Sequence, residues 1–248
     1  MSKLKTNWYS ARLGQELQVV RWGEVGTPVL LFPTAGGDAE EIERFHMIDV
    51  AAPLLEAGRV KIYSCDSVAG RTMLQGGHSP EHQMWVLNQF QQFVYHELVP
   101  AIRSDCQSEN IGIISAGASI GAFNALAVLC RFPDAFTHAI CMSGTYDLDR
   151  FFEGGRPTED LYFSSPLHFL HGLGGELLSK LQTRFVLLAS GEGKAENIGE
   201  SWRVADVLGR KGVPNRVDSW GPDWPHDWPT WRKMLPQYLD ELTPRVAY

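Results

Sequence analysis

The feature that most restricts how this chain can fold is a recurring unit. A short run that is apolar on both faces is followed by a turn, and then by a segment with helical spacing. TPVLLFPT (27–34) is the first such run. A strand without polar alternation has to be covered on both sides, as a central strand of a parallel sheet is between two helix layers. VKIYSCDS (60–67), NIGIISAGAS (110–119), HAICMSGTYDL (138–148) and RFVLLASGEG (184–193) read as further strands, and NRVDSWG (215–221) as the last. Between them the spacing predicts a helix over about 39–57, breaking near Pro53. Another runs over 79–103, with Val86, Leu87, Phe90, Val94, Leu98 and Ile102 in register and Pro100 bending its last turn. A small-residue helix follows at 120–133. The next has Ile198, Trp202, Ala205 and Leu208 on one face, and the final one carries Trp228, Trp231, Leu235 and Leu239. At the front, WYSARLG (8–14) and QELQVVRWG (15–23) form a hairpin signal.

Strands alternating with helices imply an α/β fold, with a mostly parallel, doubly wound sheet and antiparallel N-terminal strands. The 248 residues are expected to form one domain, 1–248. Only 149–180 breaks the alternation. It reads as a small cap-like excursion over the strand ends, bringing Phe151, Phe152, Tyr162, Phe163 and Phe169 towards the mouth of a site.

Composition serves mainly to exclude. A net charge of −7 without a dense Lys/Arg stripe argues against a nucleic-acid partner. Runs such as FVLLA (185–189) fall far short of the ~18 apolar residues of a membrane span, so no membrane partner is expected. Cys65, Cys106, Cys130 and Cys141 form no CxxC pair, and the polar start MSKLKTNWYS lacks a signal-peptide core. Together these predict reduced thiols in a cytoplasmic protein. There is no HExxH, no Cys/His ligand cluster, no P-loop and no complete dinucleotide fingerprint, so neither a metal nor an organic cofactor is expected.

The sharpest chemical signal is Gly117-Ala118-Ser119-Ile120-Gly121, between a predicted strand and a predicted helix. This G-x-S-x-G pattern puts a serine on a tight strand-to-helix turn, with glycines where a Cβ would strike neighbouring backbone. A serine hydroxyl needs a base to become a nucleophile. Of the eight histidines, His226 lies in the loop after the last strand, which opens on the same sheet edge as Ser119. The acid that orients such a histidine is sought in the loop after 184–190, where Glu192 and Glu196 both qualify by position. For the oxyanion, one donor is the N–H of Ile120. The other comes from Pro33-Thr34-Ala35-Gly36-Gly37, with Ala35 preferred and Thr34 its neighbour.

These motifs resemble the α/β-hydrolase superfamily, most closely its putative-esterase branch with esterase D-type enzymes and mycolyltransferases. GASIG, the Gly-x-Gly loop at 191–197 and His226-Asp227-Trp228-Pro229-Thr230-Trp231 carry the resemblance, which runs from about 25 to 242. It implies a three-layer α/β-hydrolase fold and a serine carboxylesterase working through an acyl-enzyme on a small-molecule ester. It also favours Glu196 over Glu192, because mycolyltransferase-like members place a glutamate shortly after that turn. Esterase D-like members have an aspartate where this chain has Lys194, and the usual HG-type oxyanion motif is replaced by PTAGG. With a cover as small as 149–180, short acyl chains or compact esters are expected. An acyltransferase using the same triad, or a non-catalytic binding protein on this scaffold, stays open as an alternative.

Overall fold

In the computed structural model, residues 2–75, 77–152, 155–156 and 158–244 are described. Among them eight strands form one sheet: β1 (Lys3–Ser10), β2 (Gln15–Trp22), β3 (Thr27–Phe32), β4 (Val60–Cys65), β5 (Ile113–Ala118), β6 (Phe136–Met142), β7 (Phe185–Ser190) and β8 (Asn215–Ser219). Their order across the sheet is β1-β2-β4-β3-β5-β6-β7-β8. The first two strands are antiparallel and the rest run parallel from β4 to β8, as the apolar runs predict.

The helices are α1 (Glu41–Arg44), α2 (Met47–Glu56), α3 (Val68–Leu74), α4 (Pro80–Phe93), α5 (Val99–Asp105), α6 (Ile120–Arg131), α7 (Glu159–Ser164), α8 (Pro166–Phe169), α9 (Gly175–Leu181), α10 (Ile198–Arg210) and α11 (Trp228–Leu242). Two apolar clusters make the layers. On one face α4, α5, α6 and α10 bury Phe90, Ile102, Phe123, Leu126 and Leu208 against the sheet; on the other, α2 and α11 bury Ile48, Leu55, Trp231 and Leu235. This is the α/β-hydrolase arrangement, a sheet between two helix layers.

Four local expectations change. β1 begins at Lys3 and ends at Ser10, and the reversal occupies 11–14, closed by Gly14 N–H donating to Ser10 O at 2.8 Å. Residues 3–7 are solvated on both faces, so alternation could not mark them as an edge strand. The helix over 39–57 breaks at His46, which is left-handed (φ 64°), and Pro53 sits inside α2. Pro53 is exposed, so water can satisfy the carbonyl that loses its partner. The long helix over 79–103 widens at Val94–Leu98 into a π-turn, directly before the proline whose missing N–H breaks the ladder. On α10 the inward face is Ser201, Val204, Val207 and Leu208, while Trp202 is 56% exposed.

The segment 149–180 also departs from expectation, with 153, 154 and 157 outside the described residues. It does not lie mainly across the strand ends. Gln91 of α4 donates to the Ser164 carbonyl at 2.9 Å, and α8 packs on α6. Tyr162, Phe163 and Phe169 gather with Arg131 and Phe132 at the C-terminal end of α6, one helix length from Ser119. Phe152 is buried in the core.

Candidate active site

Ser119 closes β5 and caps α6. Its backbone sits at φ 57°, ψ −122°, a region that side chains rarely occupy. The turn is fixed from both sides: Ser119 N–H donates to Met142 O at 3.0 Å, and Thr145 N–H donates to Ser119 O at 3.3 Å. Both glycines of the motif are sterically required. A Cβ on Gly117 would overlap the Gly121 backbone, and one on Gly121 would stand 2.7 Å from the carbonyl oxygens of Phe32 and Pro33. Ser119 is therefore held at the positive end of a twelve-residue helix, partly exposed, where a developing negative charge is favoured.

His226 and Glu196 come from loops after β8 and β7, and backbone bonds zip these loops together. Glu192 N–H donates to Gly221 O at 2.9 Å, Gly193 N–H to Trp224 O at 3.1 Å, and His226 N–H to Lys194 O at 3.0 Å. Here the Gly-x-Gly spacing has a mechanical reason. A Cβ on Gly191 would overlap the Trp224 carbonyl, and one on Gly193 would lie 2.7 Å from Pro222 O. The result is that His226 Nδ1 faces Glu196 Oε2 at 3.5 Å, with Glu196 almost fully buried and the imidazole about a quarter exposed.

The carboxylate of Glu196 has further partners. Ser143 Oγ donates to Oε1 at 2.5 Å and Ser190 Oγ to Oε2 at 3.2 Å, while Trp231 Nε1 donates to Ser143 Oγ at 2.9 Å. Burial alone would raise the Glu196 carboxyl. The bonds from His226 and Ser143, the charge of His226 and the bond from Ser190 together outweigh it, and the pKa falls below the ordinary glutamate value. Glu192, by contrast, is exposed and takes a bond from Ser219 on the surface.

Of the four tryptophans around His226, three act as braces. Trp231 holds Ser143, Trp220 Nε1 donates to Tyr238 Oη at 2.6 Å, and Trp228 stacks on Phe45 with ring centroids 4.3 Å apart. Sequence reasoning missed Ser143. It is left-handed (φ 48°) at the exit of β6, and a Ser-Gly pair after an apolar strand is the only trace it leaves.

On the other side, the turn after β3 requires a correction. Thr34 was a candidate oxyanion donor, but its N–H donates to Glu41 Oε2 at 2.7 Å and its hydroxyl to Oε1 at 2.8 Å, so both are committed. Among the described residues the N–H groups of Ala35 and Ile120 donate to no protein group. Glu41 was likewise missed, because an acidic residue near a helix start reads as a solvated dipole partner. Among the described residues no three His, Cys, Asp or Glu side chains gather as a metal would need, and no helix is long and apolar enough to cross a membrane.

The comparisons with known proteins agree with this architecture. The chain is similar to a ferulic acid esterase structure at 17% identity over 98% of this chain and 97% of that one, with a TM-score of 0.75. It is similar to an S-formylglutathione hydrolase from Agrobacterium tumefaciens at 11% identity over 96% and 93%, with a TM-score of 0.73. It is also similar to MPT51 (FbpC1) from Mycobacterium tuberculosis at 16% identity over 98% of both, with a TM-score of 0.69. No curated protein matches by sequence. The family model described as Putative esterase matches residues 39–235, most of the chain. The chain belongs to that family of ester-hydrolysing enzymes.

Proposed function

We propose that Ser119, His226 and Glu196 form the catalytic triad of a carboxylesterase acting on compact or short-acyl esters. Ser119 Oγ attacks the ester carbonyl as His226 Nε2 takes its proton. The N–H groups of Ile120 and Ala35 stabilise the tetrahedral oxyanion, and the N-terminal end of α6 adds its partial positive charge. His226 then returns the proton to the leaving alkoxide, giving the acyl-enzyme and free alcohol. A water deprotonated by His226 attacks the acyl carbon, and the acid is released with Ser119 regenerated. Glu196 keeps Nδ1 protonated and stabilises the imidazolium formed in each half-reaction.

The observation that carries this reading is the backbone of Ser119, a non-glycine residue at φ 57° between a parallel strand and a helix. Strain of this kind persists where the surrounding structure fixes it, and it clusters at functional sites. The preference for compact esters is supported by the position of the aromatic side chains of 149–180. Tyr162, Phe163 and Phe169 collect at the far end of α6 rather than walling the serine. Beside the Ala35–Gly36 turn stands Leu74, 59% exposed.

The test is Ser119→Ala against p-nitrophenyl acetate and p-nitrophenyl decanoate. We expect kcat to fall by about 10⁴-fold or more on the acetate, since triad members act as one unit. Wild-type kcat/KM should be higher for the acetate. A folded Ser119→Ala protein keeping a tenth of its activity would overturn the triad, and a preference for the decanoate would overturn the substrate class.

A further inference from the structure

The oxyanion turn 33–37 contains two consecutive glycines, and its main-chain donor has no side chain to hold it. Left to itself such a turn samples many conformations, and each productive encounter would carry an ordering cost. The structure fixes it from two directions. From the β4 side, the Gly37 carbonyl accepts from Ser67 N–H and from Arg71 Nε, both at 3.1 Å. Asp66 accepts from Ala39 N–H at 3.0 Å and from Arg71 at 2.8 Å. From the other side comes Glu41, whose carboxyl accepts both Thr34 bonds and fills the space where a Gly37 Cβ would be.

Glu41 is 8% exposed, and among the described residues no Lys, Arg or His nitrogen lies within 4.0 Å of it. A carboxyl buried with no cation bonded to it, Arg44 acting on it only from a distance, is costly, and stability alone gives little reason to keep it there. Its geometric consequence is specific. With the Thr34 N–H committed to Glu41, the following N–H, that of Ala35, donates to no protein group among the described residues, and the close approach of Gly121 to Phe32 and Pro33 holds the chain just before it against the first turn of α6. From this geometry we propose that Glu41 is a positioning residue of the oxyanion site, a carboxyl brace that holds the Ala35 N–H ready through Thr34. The proposal rests on the triad reading above, because it presumes an oxyanion formed at Ser119.

The test separates positioning from simple support by comparing transition-state binding with substrate binding. Removing one oxyanion donor typically costs 10²–10³ in kcat, so displacing one by loosening its turn is expected to cost Glu41→Ala about 30- to 100-fold. KM should stay within about 2-fold, since the ground-state carbonyl gains little from the same donor. Affinity for a trifluoromethyl ketone, whose adduct with Ser119 carries the oxyanion, should fall by the same factor as kcat/KM. Glu41→Gln should restore kcat to within about 3-fold, because its amide oxygen can accept from Thr34 N–H while its amide nitrogen donates to Thr34 Oγ.

A folded Glu41→Ala protein with kcat within 3-fold of wild type, or with unchanged affinity for the ketone, would overturn the brace. So would a Glu41→Gln protein as slow as the alanine variant. Thr34→Val keeps the volume and the backbone N–H but loses the hydroxyl bond. It should lower kcat about 3- to 10-fold with KM unchanged, and it decides the matter if Glu41→Ala does not fold: no loss overturns the brace. Ser119→Ala runs in the same assay. Activity surviving there defeats the triad, whereas an inactive Ser119→Ala beside a fully active Glu41→Ala defeats only the brace.

Discussion

Two buried glutamates stand on opposite sides of Ser119 and are pushed in opposite directions. Glu196 accepts from two serine hydroxyls and faces an imidazole, and its pKa drops below the ordinary value. Glu41 accepts from a threonine hydroxyl and a backbone N–H. Burial there outweighs those bonds, and its pKa rises. Both lose most of their water. The difference is the imidazole that faces Glu196, whereas Arg44 acts on Glu41 without bonding to it. On the proposed mechanism, one answers a group whose protonation changes during the reaction. The other holds groups whose protonation never changes.

The strongest way to break that contrast is at the acid. On the proposed mechanism Glu196→Gln removes the charge that stabilises the imidazolium and fixes its tautomer. We expect kcat/KM to fall about 10³- to 10⁴-fold, as for other triads that lose their acid. Glu192→Gln, altering an exposed carboxylate bonded to Ser219, should stay within about 2-fold of wild type. Steady-state kinetics on p-nitrophenyl acetate settle it, and a reversal of the two variants would make Glu192 the acid.

A smaller effect is expected one step behind Glu196. Ser143 Oγ links Glu196 to Trp231, donating to the first and accepting from the second. Ser143→Ala leaves the Trp231 N–H unpaired and the carboxylate short of one donor. Folding stability should fall by about 1–3 kcal/mol, and kcat by about 3- to 10-fold through a less constrained His226. Urea denaturation and kinetics on the same preparation measure both. A stability loss with unchanged kcat would make Ser143 a core support only.

These two sides of the site were not equally legible in the sequence. GASIG, the two loop glycines and His226 leave signatures because residue type and position on a strand-end turn suffice to mark them, even where the backbone a glycine must clear, as with Gly191 and Trp224, is distant in sequence. Ser143 leaves only a Ser-Gly pair after its strand, and Glu41 leaves none. Their roles show only in their partners: Glu196, 53 residues from Ser143, and Thr34, 7 residues before Glu41, whose N–H reads from the sequence as a free donor. The sheet was legible because its strands are apolar on both faces. The aromatics of 149–180 were misplaced for a related reason. Hydropathy says that Tyr162 and Phe163 want cover, but packing on α4 and α6 decides which end of the molecule they cover. Trp202 fails in the same way, with good helical spacing on a face that nothing covers.

The smallest expected effect separates the two glutamates without any substrate. For Glu196, lowered from 4.5, ionisation favours the folded state. The stability it contributes is present above that ordinary value and lost as pH falls through the lower folded one. For Glu41, raised from 4.5, ionisation favours the unfolded state, so a cost appears as pH rises from the ordinary value towards the folded one and persists at neutral pH. Glutamine cannot ionise and has nearly the same shape, so each variant removes one of these dependences. At pH 7 Glu196→Gln should be less stable than wild type and Glu41→Gln at least as stable. Below pH 4.5 the Glu196→Gln gap should narrow and any Glu41→Gln advantage should vanish. Urea denaturation midpoints for the three proteins at pH 7 and pH 4 give the comparison. If both variants moved in the same direction with pH, the two carboxyls would not differ in what they are paired with.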